Sequence, residues 1–363
     1  MRKIKVILGK KSYDIAVCSN EIKRLGSIVK KLRIGTDAIV ITNPTIKRLF
    51  GSKVKKSLES AGFNVRIKTV PDSERAKSET RCMELLNYLS KSDGSRKKIF
   101  IVALGGGVVG DLSGFVASIY RRGIPYIQVP TTLLAQVDSA IGGKVAIDLK
   151  VGKNLAGSFY QPRLVFSDIA LLRTLGKKDL ASGMAEVIKY GIIKSPPLFD
   201  FLEKNYKKAL RGDRRSMQYI VGVASAIKAG VVEKDEYDRK NVRVILNLGH
   251  TIGHAIEAAA QYKKSYSHGQ AVALGMLAAS RISMRLGLLD KNTYSRIKKL
   301  IKNAGLPSVI KGLDADSIFS AQEHDKKFIH GKNRFVLPVK IGRVIVKEGI
   351  PSSLIKDSIA SLL

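Results

Sequence analysis

The chain has 363 residues, 45% of them hydrophobic, and a formal net charge of +34 from 64 Lys and Arg against 30 Asp and Glu. That length accommodates two domains with separate cores, and no apolar run is long enough to span a bilayer. The basic residues are spread over every segment, without a basic arm, a finger spacing or an RNA-binding aromatic pattern, so they describe a basic solvated surface and no specific nucleic-acid partner is expected.

The opening MRKIKVILGKKSYDIAV is basic, but Gly9, Lys10 and Lys11 interrupt any apolar core of a signal peptide. KIKVIL and YDIAVC read instead as a hairpin. Two cysteines, Cys18 and Cys82, are too few for a disulfide framework and fit a reducing cytoplasm. DAIVIT, NVRIKTV, KKIFIVAL, IPYIQVP and LVFSDI follow as buried strands rich in Val and Ile. TIKRLFGSKVKKSLESAG and ETRCMELLNYLSKS lie between them with helical spacing. Strands alternating with helices predict a mostly parallel sheet covered on both faces. After about Leu175 the helical runs LASGMAEVIKYGII, SMQYIVGVASAIKAGVVEK, GHTIGHAIEA and HGQAVALGMLAASRISMRLG dominate, with one late β-like excursion, NRFVLPVKIGRVIVKEG. The expectation is an α/β nucleotide-type domain over 1–176 and a mainly helical domain over 177–363.

KKIFIVAL runs directly into GGGVVGDLSGFVAS, so Gly105, Gly107 and Gly110 satisfy G-x-G-x-x-G between a strand and a helix. A pyrophosphate needs that tight turn and the helix N-terminal N–H groups beyond it. An empty βα turn can carry the same glycines. The acidic residue expected some 20 positions later is missing, since QVPTT stands there. PDSERAK, with Asp72, Glu74 and Lys77, also follows a strand and is the candidate for ribose contacts. Farther on, Asp138, Lys144, Lys153 and Asn154 cluster around what read as glycine turns, GGK and GKN, suited to gripping phosphate or carboxylate.

In the second half, Glu186 and Lys189 stand three apart in MAEVIKYG, and Lys228 sits in VASAIKAGVV, both amid apolar residues. Ionisable groups are costly to bury there unless paired or used. Arg243 and Asn247 precede His250, which is followed by His254 four residues on and by His268, in a chain with five histidines in all. HTIGH lacks the Glu of a zinc-protease HExxH. Glu186, His250 and His268 make a His₂Glu set of the kind that holds a catalytic divalent ion, leaving His254 for proton transfer. These histidines also fit a plain helix face.

GGGVVGDLSGFVAS, QVPTTLLAQVDSAIGGKVAID, GKNLAGSFYQP, ASGMAEVIKYGII, LNLGHTIGHAIEA and SHGQAVALGM, taken in order, resemble the successive motifs of the 3-dehydroquinate synthase family, over roughly Val40 to Arg343. The resemblance implies a Rossmann-like domain carrying NAD⁺ and a helical domain carrying Zn²⁺ or Co²⁺. It implies conversion of 3-deoxy-D-arabino-heptulosonate 7-phosphate to 3-dehydroquinate and phosphate in the shikimate pathway, with NAD⁺ regenerated in each turnover. Metal ligands would be Glu186, His250 and His268. NAD⁺ contacts would come from Asn43, from Asp72, Ser73, Glu74, Arg75, Ala76 and Lys77, and from Gly107, Val108, Val109, Gly110 and Asp111. Thr131, Thr132, Asp138, Lys144 and Lys153 would add to these, with Leu171, Leu172, Arg173 and Thr174. Arg122, Lys144, Asn154, Lys189, Lys228, Arg243, Asn247 and His254 match the substrate pocket, with a further lysine in Asp325–Lys327. A cytoplasmic homodimer with a sugar-phosphate substrate and no membrane partner is expected.

Two departures stand out. The family's Glu in a DERE-like run falls in DEYDRKNVR, where Glu236 or Asp238 must serve. The usual HGEAV is HGQAV, with Gln270 beside the expected metal. Alternatives are another sugar-phosphate cyclase making an inosose or valiolone-type ring, a metal-dependent polyol dehydrogenase, and a polyanion-binding protein on a degenerate enzyme scaffold.

Overall fold

The computed structural model describes residues 1–94, 98–260, 266–323 and 333–363. The Asp325–Lys327 run lies outside them. The chain forms two compact units, one of Met1–Thr174 with Met217–Tyr237, the other of Leu175–Ser216 with Asp238–Leu363. A single cut at 176 does not describe this division. Most of the Arg214–Lys234 helix, including Lys228, belongs with the sheet.

The first unit is built on strands β1 (Arg2–Val6), β2 (Tyr13–Cys18), β3 (Asp37–Thr42), β4 (Asn64–Thr69), β5 (Ile99–Gly105), β6 (Tyr126–Pro130), β7 (Lys144–Leu149), β8 (Gly152–Phe159) and β9 (Leu164–Asp168). Seven of them form one sheet in the order β1-β2-β9-β6-β5-β3-β4. Only β1 runs antiparallel, paired with β2 from Arg2↔Val17 to Val6↔Tyr13. Neighbouring residues of one strand fall into different cores. Val40, Phe100 and Val102 pack on one face, Ile39, Ile41 and Ile101 on the other. With both faces covered, the strands need continuous β-branched runs and not an alternating pattern.

The expected turns flank a pair of strands. Gly142 and Gly143 take positive φ ahead of β7, and KVAIDL and GKNLAGSF pair as an antiparallel hairpin, β7 with β8, closing at Leu149↔Gly152. Gly152 stands at the start of β8, beside the turn, and Gly157 lies inside the strand. A Cβ on Gly157 would come within 2.8 Å of the Val145 carbonyl oxygen, so this glycine serves close cross-strand approach and is not a turn signal.

The second unit is helical, with helices at Lys177–Lys194, Pro196–Leu210, His250–Ala259, His268–Arg285, Lys291–Asn303, Ala315–Glu323 and Ser352–Ala360. The late excursion forms a hairpin, β10 (Arg334–Lys340) with β11 (Arg343–Glu348). The helix core is made of small and aliphatic residues with one methionine, Met184, Ala185, Ile188, Ala271, Leu274 and Ala278 all fully buried. Among the described residues no helix is long and apolar enough to cross a membrane.

Candidate functional site

Three helical segments of the second unit bring Glu186, His250 and His268 together. Glu186 is in the middle of the Lys177–Lys194 helix and fully buried. Ser182, one turn earlier, accepts a hydrogen bond through Oγ from the Gly269 N–H at 3.0 Å. That bond ties the start of the His268–Arg285 helix to the Glu186 helix and sets His268 beside the carboxylate. Gly249, at φ +81, lets the chain enter the His250–Ala259 helix by a left-handed step that residues with a Cβ rarely take.

The resulting donor set is compact. His250 Nε2 is 3.7 Å and His268 Nε2 3.6 Å from Glu186 Oε1, and one ligand atom from each residue lies within 4.8 Å of the others. Donors at about 2.0–2.1 Å from a tetrahedral zinc stand roughly 3.3 Å apart, so a small contraction closes this set around an ion. His250 Nδ1 faces the Leu248 carbonyl at 3.2 Å, which holds the proton there and leaves Nε2 for ligation. Burial alone would lower the His268 pKa. The carboxylates of Glu186 and Glu257 outweigh it and raise the pKa to about 10, so the position favours a cation. The His254 ring centroid is 5.4 Å from that of His250 and 6.2 Å from that of His268.

Lys189 is buried one turn from Glu186 and forms an ion pair with its Oε2. Arg243 is buried at the start of the Arg243–Asn247 3₁₀ turn, which carries Asn247 at its other end. Gln270, which stands where the family has a carboxylate, serves the helix end. Its Oε1 accepts from the Ser267 N–H at 2.9 Å, capping the helix that begins with His268.

Within the first unit, the residues expected around a dinucleotide fall into small bonded groups. Asn43 Nδ2 donates to Asp72 Oδ1 at 2.6 Å, and Asn43 Oδ1 caps the short helix that follows through the Ile46 N–H. Lys77 Nζ, buried, bonds Asp111 Oδ2 at 2.8 Å and also Asn154 Oδ1, with Glu74 Oε1 at 4.0 Å. Burial pushes the Asp111 carboxyl up to about 6 against the pull of Lys77. Ser73, Arg75 and Ala76 lie in the same connection, where Ser73 and Arg75 are exposed and Ala76 is buried. Lys228 bonds Asp138 at 2.5 Å.

Gly107 opens the Gly107–Ile119 helix, which carries Val108, Val109, Gly110 and Asp111 in its first turns. A Cβ on Gly107 would meet only Ser139, at 3.1 Å from Oγ. Ser139 Oγ and Thr131 Oγ1 are buried without a hydrogen-bond partner among the described residues. Thr132 Oγ1 accepts from the Ala135 N–H. The turn thus leaves room and two unpaired hydroxyls, which is what an anionic ligand would use. Leu171, Arg173 and Thr174 line a pocket of about 690 Å³ with Phe50 and Lys53, and Leu172 is buried beside them in sequence.

Lys144, Lys153 and Arg122 are exposed. Arg122 adopts φ +61, and Lys144 Nζ stands 5.9 Å from the Phe159 ring centroid. Of the two acids proposed for the DERE-like run, Glu236 binds Lys11 at 3.1 Å and Gln161 at 3.4 Å, while Asp238 is exposed. Ser139 was not singled out in the sequence, because an isolated serine in VDSA carries no signal. Glu257 was visible only as the residue three places after His254, a spacing that shares a helix face.

The fold is that of the sugar-phosphate cyclases. A solved 2-deoxy-scyllo-inosose synthase complexed with carbaglucose-6-phosphate, NAD⁺ and Co²⁺ matches with TM-score 0.91 and 27% identity, covering 100% of both chains. A 2-epi-5-epi-valiolone synthase from Streptomyces hygroscopicus, with NAD⁺ and Zn²⁺ bound, shares the fold at TM-score 0.89, 23% identity and 98% of both chains. Family models described as 3-dehydroquinate synthase N-terminal and C-terminal match residues 67–182 and 183–328. A 3-dehydroquinate synthase from Pelotomaculum thermopropionicum is 43% identical over 362 residues, 99% of this chain and 97% of its own. The chain belongs to the 3-dehydroquinate synthase family.

Proposed function

We propose that this chain converts 3-deoxy-D-arabino-heptulosonate 7-phosphate to 3-dehydroquinate and phosphate. The observation that carries the reading is the Glu186–His250–His268 donor set, in a chain similar along 99% of its length to a 3-dehydroquinate synthase. Glu186, His250 and His268 would hold a Zn²⁺ or Co²⁺ ion. Gly107–Asp111, Thr131, Thr132, Asn43 and Asp72–Lys77 would hold NAD⁺, with Asp138, Lys144, Lys153 and Leu171–Thr174. When bound, the ion supplies Lewis acidity toward substrate oxygens and the nicotinamide supplies reversible hydride transfer.

The chain's own residues have separate work. Lys189, Lys228, Arg243 and Arg122 offer cations to a substrate that carries both a carboxylate and a phosphate, and Lys144, Asn154 and Asn247 offer further donors. The buried lysines are already matched to Glu186 and Asp138, so each pair adds little net charge to the interior. His254, half-buried beside the His250 ring, would take or give a proton at an imidazole nitrogen. The finer reading includes a cytoplasmic homodimer without a nucleic-acid partner. The two buried cysteines, both free, are consistent with a reducing compartment, and sedimentation of the purified chain tests the dimer.

The deciding assay is phosphate release from the heptulosonate phosphate, with and without NAD⁺ and after chelation. Release that needs both, without accumulation of NADH, is expected. Stoichiometric NADH would favour a polyol dehydrogenase, and a faster reaction with a hexose phosphate would favour another cyclase.

A further inference from the structure

Glu257 lies one turn beyond His254 on the His250–Ala259 helix, with Oε2 3.6 Å from His268 Nδ1. The other nitrogen of the same ring, Nε2, is 3.6 Å from Glu186 Oε1. His268 therefore stands between two carboxylates, one at each nitrogen. His250 shows the same layout with a different partner, Nε2 toward Glu186 and Nδ1 toward the Leu248 carbonyl.

An imidazole that ligates through Nε2 keeps its proton on Nδ1, and an acceptor there fixes both the tautomer and the ring plane. The two rings differ in how firmly the protein encloses them. The His250 side chain is 11% exposed and that of His268 is 31% exposed. The more open ring has less packing to hold it, and an ionised acceptor makes a bond roughly twice as strong as a neutral one.

Resting on the metal reading of Glu186, His250 and His268, we propose that Glu257 is the positioning residue that holds the Nδ1 side of His268 and presents Nε2 to the ion. The competing role is that of a ligand. His254, Glu257 and His268 also have donor atoms within 4.8 Å of one another, but that set would take the Nδ1 that the first set leaves protonated. One ring cannot be a neutral ligand to both.

The test uses full-length wild type and Glu257→Gln, stripped by chelator and titrated with Co²⁺ against a chromophoric competitor. One ion per chain is expected in each protein. The dissociation constant should rise about 10- to 100-fold in the variant, and the visible Co²⁺ bands should shift. NAD⁺ affinity is read in parallel and should be unchanged, which shows the variant is folded. Equal Co²⁺ affinity and equal spectra would overturn the proposal. Two ions in wild type, with one lost in the variant, would overturn it in favour of a ligand role. His268→Ala is measured beside them. Full Co²⁺ affinity in that protein would sink the metal reading itself, an outcome distinct from failure of the Glu257 assignment.

Discussion

A Cβ built on Gly275 would lie 1.9 Å from the Gly249 carbonyl oxygen and 2.8 Å from the Gly253 nitrogen, whereas one built on Gly107 would meet nothing nearer than Ser139 Oγ at 3.1 Å. Gly269 belongs with Gly275, since its Cβ would sit 2.1 Å from the Ser182 carbonyl. In the helical unit, then, the space over these glycines is filled by the backbone of a neighbouring helix. In the sheet unit the space over Gly107 is left open apart from one serine side chain. The helical glycines set how closely the segments bearing Glu186, His250 and His268 approach, as Gly157 does for its hairpin, while the room over Gly107 suits the proposed anion site. Only the neighbours tell the two uses of glycine apart.

The largest effect expected from this contrast is at Gly275. Gly275→Ala forces backbone against backbone, with no flexible side chain to yield, so a loss of about 3 kcal/mol or more is expected. A thermal melt should fall steeply and bound metal should disappear with it. A near-normal melt would show that the helices can move apart. Next is His268→Ala, where metal and turnover should be lost while the melt changes little. Glu186→Ala should behave worse than His268→Ala, because it leaves Lys189 buried without that carboxylate, a loss of roughly 3–5 kcal/mol. Similar melts for the two variants would mean that Lys189 finds another partner.

Gly107→Val comes third. The NAD⁺ dissociation constant should rise one to two orders of magnitude, about 1.4–2.8 kcal/mol, with metal content and melting unchanged. Normal NAD⁺ binding would make the glycine turn an empty one. The smallest effects separate the lysines. Lys189→Met should lower kcat/KM at every salt concentration. Lys153→Ala, at an exposed strand position, should give a moderate loss that persists in salt if it touches cofactor. Lys30→Ala, on an exposed helix face, should change kcat/KM by a small factor that salt removes. Equal, salt-erased effects at all three would mean that the charge acts diffusely.

Apolar runs were enough to read the sheet, since β3 and β5 are rich in Val and Ile and the shorter β6 and β9 are buried throughout. The Glu79–Ser92 helix followed from its spacing, and Ser78 caps it through the Arg81 N–H. The turns at GGK and GKN were legible, but the β7–β8 pairing between them was not. Gly157 permits one strand to lie close over the other, which only the partner strand reveals. The Glu186, His250 and His268 set could be assembled from residue types and from the family motifs. Part of its support could not, because Ser182 Oγ meets the Gly269 N–H across 87 residues, whereas the Ser267–Gln270 cap has a spacing the sequence does show. Likewise Lys153, read from its Gly–Lys–Asn context as suited to gripping an anion, is exposed, which that context did not tell. Local context sets a residue's chemistry, and long-range packing sets its exposure.

Arg121, Arg122 and Gly123 take successive φ values of +48°, +61° and +121°. Two adjacent arginines in the left-handed region carry a standing conformational cost, roughly 1–2 kcal/mol for each residue with a Cβ. Arg121 recovers part of it through its 2.8 Å ion pair with Asp93, while Arg122 is exposed. Laboratory evolution for heat resistance alone should therefore accept Gly or Asn at position 122, and the proposed substrate role requires those hardier proteins to turn over more slowly. With Arg122 in its proposed substrate role, durability and speed are opposed at this one backbone bend, and the turnover of heat-selected variants measures the opposition.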